Sequence, residues 1–196
     1  MLGPYVVVVP RITGSISALS SSLIIHVIFR TEKKLSTIYH RIMFGMSCAD
    51  IIGSIAMALT TLPMPETDVC TGENYTWDAV RLGTYQTCQA QGFFFVFGAL
   101  CMQMYNLSLY CYYTCAIGFN MRDQRIRKSI EPFLHAIPLI GGSLVASLPF
   151  MISMSYHIDN IVPWCNSYID FKSQSQHEAP YYLILLSCLS VVYSTV

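Results

Sequence analysis

The chain has 196 residues, 54% of them hydrophobic and only 11% charged, with eleven Lys+Arg balancing eleven Asp+Glu. A soluble domain carries roughly 25% charged residues, so the composition argues against a water-exposed monomer. The same numbers exclude disorder, which needs low hydrophobicity and high net charge, and the zero net charge argues against a nucleic-acid binder.

The charges cluster between long apolar runs. The first run, Ile12 to Phe29, holds no Asp, Glu, Lys or Arg, and counting back past Arg11 to Pro4 lengthens it. Its positive residues (Arg30, Lys33, Lys34) follow it, whereas those of a secretory leader come before the apolar stretch. The second run, Ile42 to Leu62, carries a single charge, Asp50. The third, Gly92 to Phe119, and the fourth, Pro132 to Met154, carry none, and a fifth starts near Ala179 and is still running at Val196. About 20 apolar residues cross the hydrocarbon core as a helix, and backbone polar groups in lipid must be satisfied within the segment. The expected fold class is therefore an all-α integral-membrane bundle. Its spans fall at about 4–30, 42–62, 90–118, 132–154 and 180–196, joined by loops 31–41 and 119–131 on one side and 63–89 and 155–179 on the other. Because the chain stops inside its fifth span, it reads as a C-terminally truncated part of a larger bundle.

Charge sets the orientation. Loops 31–41 and 119–131, together with Arg30 at the edge of the first, hold eight of the eleven basic residues, while the opposite side holds seven of the eleven acids. Lys and Arg mark the cytoplasmic face, so the N-terminus is expected outside. Two signals agree. Asn74-Tyr75-Thr76 is a glycosylation sequon in an expected outer loop, which marks Asn74 as an acceptor. Three cysteines, Cys70, Cys88 and Cys165, are placed in the oxidising compartment, where disulfides form.

Within the spans, Asp50 is the sole acid and should face the bundle or a water cavity. Ser47, Asp50 and Ser54 share a helical face, and the third span has its own polar stripe in Gln103, Asn106, Tyr110 and Tyr113. These read as a hydrogen-bonded or hydrated interior. Small residues at a spacing of four (Gly14, Ala18, Ser22; Gly142, Ala146) read as close helix contacts, and Pro138 and Pro149 as bends. His26, His40 and Arg41 read as interfacial side chains. There is no nucleotide-binding glycine loop, no pair of metal ligands at helical spacing and no nucleophile elbow, so neither catalysis nor a cofactor is expected.

The segment Lys33-Lys34-Leu35-Ser36-Thr37, with Ser47-Cys48-Ala49-Asp50 placing the aspartate fifteen residues after Leu35, resembles the rhodopsin-like seven-helix G-protein-coupled receptors. The resemblance implies two further helices beyond the five visible spans. It makes Asp50 the family's helix-2 aspartate, a sodium ligand and member of an activation network, and puts Ser22 where the family's helix-1 asparagine stands. It pairs Cys88, at the outer start of the third span, with Cys165 in the second outer loop. It turns Lys33, Lys34, Arg122, Arg125, Arg127 and Lys128 towards a heterotrimeric G protein, and an unidentified extracellular ligand towards the outer helix ends, with Phe93 to Phe97 near the cavity. The departures are specific. No acid-Arg-Tyr motif ends the third span, where Tyr110-Cys111-Tyr112-Tyr113-Thr114-Cys115 stands, His40 takes a family asparagine position, and the fourth span lacks a tryptophan. These features place the chain nearer the cAMP-receptor-like or secretin-like branches. The implied function is a receptor at the plasma membrane. The competing readings are a transporter or channel with a polar path near Asp50 and the Asn106 stripe, and a membrane scaffold.

Overall fold

The computed structural model describes residues 5–66, 80–151, 155–158 and 164–168. Four of its helices are long and apolar enough to cross a membrane. They are α1 (Tyr5–Arg30), α2 (Ile38–Leu59), α3 (Tyr85–Tyr113) and α5 (Glu131–Met151), with a short α4 (Asp123–Ser129) between the last two. The expected fifth span, 180–196, lies outside the described residues.

Packing follows chain order: α1 lies on α2, α2 on α3 and α3 on α5. Alpha-helix α3 is the hub, because it also carries a small antiparallel hairpin of β1 (Ser155–Ile158) and β2 (Cys165–Tyr168). The register pairs Ser155 with Tyr168 and Ile158 with Cys165. The hairpin is a small departure, among the described residues, from an otherwise all-helical bundle. The strands fall in the segment read as an outer loop, beyond the last apolar turn of α5. There water competes for backbone groups and a two-stranded ladder carries no lipid penalty.

Side chains explain the boundaries. α2 begins four residues before the expected 42, because Thr37 is extended and its Oγ1 accepts the His40 amide at 3.3 Å. α3 begins at Tyr85 because Thr84 and Thr87 form a reciprocal capping box. α2 stops at Leu59 because Thr60 takes φ 46°, a backbone conformation a β-branched residue rarely adopts. At its far end α3 widens into a π-helical turn, Thr114–Gly118, in which the Phe119 amide reaches back to the Thr114 carbonyl.

Small residues permit the close helix contacts. A Cβ on Gly98 of α3 would sit 2.5 Å from the Gly53 amide nitrogen of α2, and one on Gly14 of α1 would sit 2.8 Å from the Ser54 carbonyl oxygen. In α5, Gly142 lies against the Cys101 sulfur and Ala146 is fully buried. Pro138 has no amide to offer the Leu134 carbonyl one turn back, and the Ser108 hydroxyl of α3 donates to that oxygen at 2.8 Å. The main core cluster, with Ile38, Ile42, Tyr105, Ile126 and Leu134, sits at the end where the basic loops emerge. A smaller one, Met64, Cys88 and Cys165, closes the opposite end. Outside these clusters the helices show large apolar side chains to their surroundings. On α1 alone Ile12, Ile16, Leu19, Leu23 and Val27 are all more than half exposed. A face of that kind matches lipid and not water.

Candidate functional site

Three groups of polar side chains organise the bundle. The first surrounds Asp50 at mid-height on α2. Its Oδ2 accepts from Ser21 at 2.6 Å and from Ser17 at 2.9 Å, both on α1, and Oδ1 accepts from Ser54 at 3.3 Å. Asp50 thus faces the bundle, and its carboxylate borders a cavity of about 270 Å³ that Thr13, Gly53, Phe95, Ala99 and Met102 help to line. The hydroxyls offset part of the cost of holding a carboxylate in an apolar medium.

The expected network is otherwise rearranged. Ser22 turns away, exposed, and donates to the Ala18 carbonyl of its own helix at 2.7 Å. Ser47 is buried without a hydrogen-bond partner among the described residues. Neither Gln103 nor Asn106, both half-buried, makes a side-chain hydrogen bond among the described residues. Tyr113 is exposed, and its ring meets those of Tyr39 and Tyr112. The α3 stripe therefore does not join Asp50. Instead α1 supplies the partners, with Gly14, Ser17 and Ser21 at helical spacings of 3 and 4. That spacing is present in the sequence, but α1 has hydroxyls on several faces and periodicity alone does not choose among them.

The second group lies at the disulfide end. Cys88 of α3 and Cys165 of β2 are bonded, with Cα atoms 5.5 Å apart. Gln91, one turn further along α3, donates to the carbonyls of Ala56 and Thr60 at 2.9 and 2.8 Å and accepts the Cys165 amide at 3.3 Å. Arg11 of α1 donates to Thr60 Oγ1 at 2.7 Å. One residue thus joins α2, α3 and the hairpin, and a second brings in α1 at the same turn. Beside Gln91, an apolar cleft of about 600 Å³ opens between α2 and α3, bordered by Ile52, Ile55, Leu59, Leu82 and Phe94. Within the Phe93–Phe97 run, Phe95 reaches the Asp50 cavity and also meets Trp164, ring centres 5.5 Å apart. Asn74 and Cys70 lie outside the described residues.

The third group lies at the basic end. Arg41 grips both carboxylate oxygens of Glu131, Nη2 reaching Oε2 at 2.8 Å, while its Nη1 donates to the Leu35 carbonyl at 2.7 Å. His135, one turn on from Glu131, approaches it at 3.9 Å and faces Tyr105 Oη at 3.4 Å. Arg41 is thus a clasp joining the first loop and α2 to α5. His40 is likewise engaged, its Nδ1 2.6 Å from the Lys34 carbonyl oxygen. Around this clasp Lys33, Lys34, Arg122, Arg125, Arg127 and Lys128 are all exposed.

Among the described residues no three His, Cys, Asp or Glu side chains gather as a metal site. Oxygen ligands for a hard monovalent cation at Asp50 would have to come from the carboxylate and the hydroxyls of Ser17, Ser21 and Ser54. No family model and no curated protein matches the chain.

Proposed function

We propose that the chain belongs to a seven-helix receptor that takes an extracellular ligand at its disulfide end and presents its basic end to a heterotrimeric G protein. In this reading the protein lies in the plasma membrane with its N-terminus outside, and Asp50 is the central switch residue, with sodium as its candidate ligand. The observation that carries the reading is the position of Phe95. It touches Trp164 in the loop tied down by Cys88–Cys165, and it also borders the cavity at Asp50. A ligand that shifts the tied loop would act on Phe95 directly and through it on the Asp50 cavity, which is what a two-state bundle needs. Exposed basic loops at the other end fit an acidic protein face.

The alternative is an ion path, favoured by the same cavity. The contact of Gly53 with Gly98 stands against it, because backbone packed that closely leaves no room for an ion between α2 and α3 at that height. The test is a cell assay of G-protein dissociation across Gα classes, with the protein expressed from its full gene. The expected result is a basal signal above mock-transfected cells that Asp50→Asn changes. A silent protein at the cell surface, together with cation flux in reconstituted liposomes, would select the transport reading. An epitope tag in loop 119–131 that antibodies reach on intact cells would reverse the orientation.

A further inference from the structure

We propose that the segment from Ile117 to Lys128 docks on the bilayer surface, its basic side chains holding anionic phospholipid headgroups while Ile117 and Phe119 insert among the acyl chains. The inference needs the spans to lie in a bilayer; it gives Arg122, Arg125, Arg127 and Lys128 to lipid and leaves Lys33 and Lys34, of the basic residues assigned above to the G-protein face, for a G protein.

Two placements carry it. First, Ile117 and Phe119 are 77% and 71% exposed at the end of α3, among the most exposed large apolar side chains described. The π-helical turn presents them there, just beyond the last regular turn of a span. At that position a water-facing phenylalanine is costly, and the headgroup boundary is the nearest apolar medium. Second, α4 is held rigidly. Its Ile126 is completely buried in the core cluster with Ile38, Ile42 and Leu134. Fixing that face inward turns Arg125, Arg127 and Lys128 outward, next to exposed Arg122. Four basic residues against the single acid Asp123 leave this segment net positive. The partner that fits adjoining exposed apolar anchors and a fixed cationic helix is a leaflet rich in anionic lipid. A protein partner would need an acidic face with an apolar pocket, and it is the rival outcome of the test.

The whole protein is reconstituted in phosphatidylcholine nanodiscs, and spin-labelled phosphatidylserine and phosphatidylcholine are compared for association with it. Each surface Lys or Arg is worth about fivefold in binding to an anionic leaflet. The expected result is a several-fold preference for phosphatidylserine that shrinks as salt is raised and falls towards parity in the variant Arg125→Gln/Lys128→Gln. Parity in the unmodified protein overturns the proposal, and so does a preference that the variant leaves intact. The unmodified comparison needs no variant to fold. Insertion is read separately from Phe119→Trp in lipids brominated near the headgroup. Added tryptophan fluorescence should be quenched relative to the unmodified protein. Unquenched fluorescence would mean that another part of the chain or a protein covers Phe119, and would refute insertion.

Discussion

Asp50 works against the stability of the bundle. A carboxylate at bilayer depth costs at least about 2.5 kcal/mol before compensation. Ser17, Ser21 and Ser54 compensate in part, yet each of these hydroxyls can turn back to a carbonyl of its own helix, as Ser15, Ser20 and Ser22 do. Asp50→Asn should therefore leave the thermal midpoint in detergent unchanged or raise it, with a change in unfolding free energy within about 1 kcal/mol. A fall of several kcal/mol would make Asp50 a structural keystone and weaken its reading as a switch. Ser108 is the opposite case. Its hydroxyl completes the Leu134 carbonyl that Pro138 leaves open. Ser108→Ala should cost about 0.6–2 kcal/mol, the range measured for hydrogen bonds between membrane helices. In a Pro138→Ala background, where the helix can satisfy Leu134 itself, the same change should cost markedly less. Equal losses in both backgrounds, measured by denaturant titration, would rule the carbonyl out as the reason. At this scale the sequence is half legible. One acid among apolar residues marks Asp50, and Pro138 marks a missing amide. Which hydroxyl answers each depends on helix rotation, and α1, with Ser15, Ser17, Ser20, Ser21 and Ser22, offers candidates on more than one side.

Hydropathy locates the four helices, because each apolar run is long enough to need a helix, but it starts α2 and α3 too late, at 42 and 90 where the helices begin at Ile38 and Tyr85. His40 and Arg41 count as loop by charge, yet both sit inside α2, because Thr37 caps the helix and Glu131 neutralises the arginine. Nothing near Arg41 in sequence announces a carboxylate ninety residues away. The one sequence signal is that Glu131, at the start of the fourth span, falls on the same side as Arg41 at the start of the second. Arg41 and Glu131 are 20% and 12% exposed, so removing one partner strands the other in a poorly hydrated place. Glu131→Met or Arg41→Met alone should therefore cost about 3 kcal/mol or more, and the two combined much less than their sum, giving a coupling energy of at least about 1 kcal/mol in a double-mutant cycle. Additive losses would show that the two side chains do not interact. Because the clasp also holds the Leu35 carbonyl, Glu131→Gln should speed hydrogen exchange in the first loop before it affects α1.

Across the whole molecule the two ends are held by different chemistry: an ion pair where the basic loops emerge, and a covalent bond with a glutamine network at the other. The pairing of Cys88 with Cys165 came from family resemblance, since three cysteines on one side leave the partner open. The hairpin that carries Cys165 was not legible, because four-residue strands in a polar stretch leave no periodic signal. The bond closes a loop of 77 residues, which in water would stabilise a small protein by about 4.5 kcal/mol through the entropy of the unfolded chain. In a membrane much of that entropy is already lost, because α3 and α5, the two spans inside the loop, stay threaded through the bilayer when the bundle loosens. Cys88→Ser should accordingly cost well under that figure. Its effect should be confined to the hairpin and the Gln91 junction, because the Cys165 amide that Gln91 accepts is held in place by the bond itself. Hydrogen exchange followed by mass spectrometry should show faster exchange across 155–158 and 164–168 and at the C-terminal turn of α2, with α5 and the Arg41–Glu131 end unchanged. Faster exchange spread evenly over all four helices would mean instead that the bundle unfolds as one cooperative unit, and that the two ends are not separately fastened.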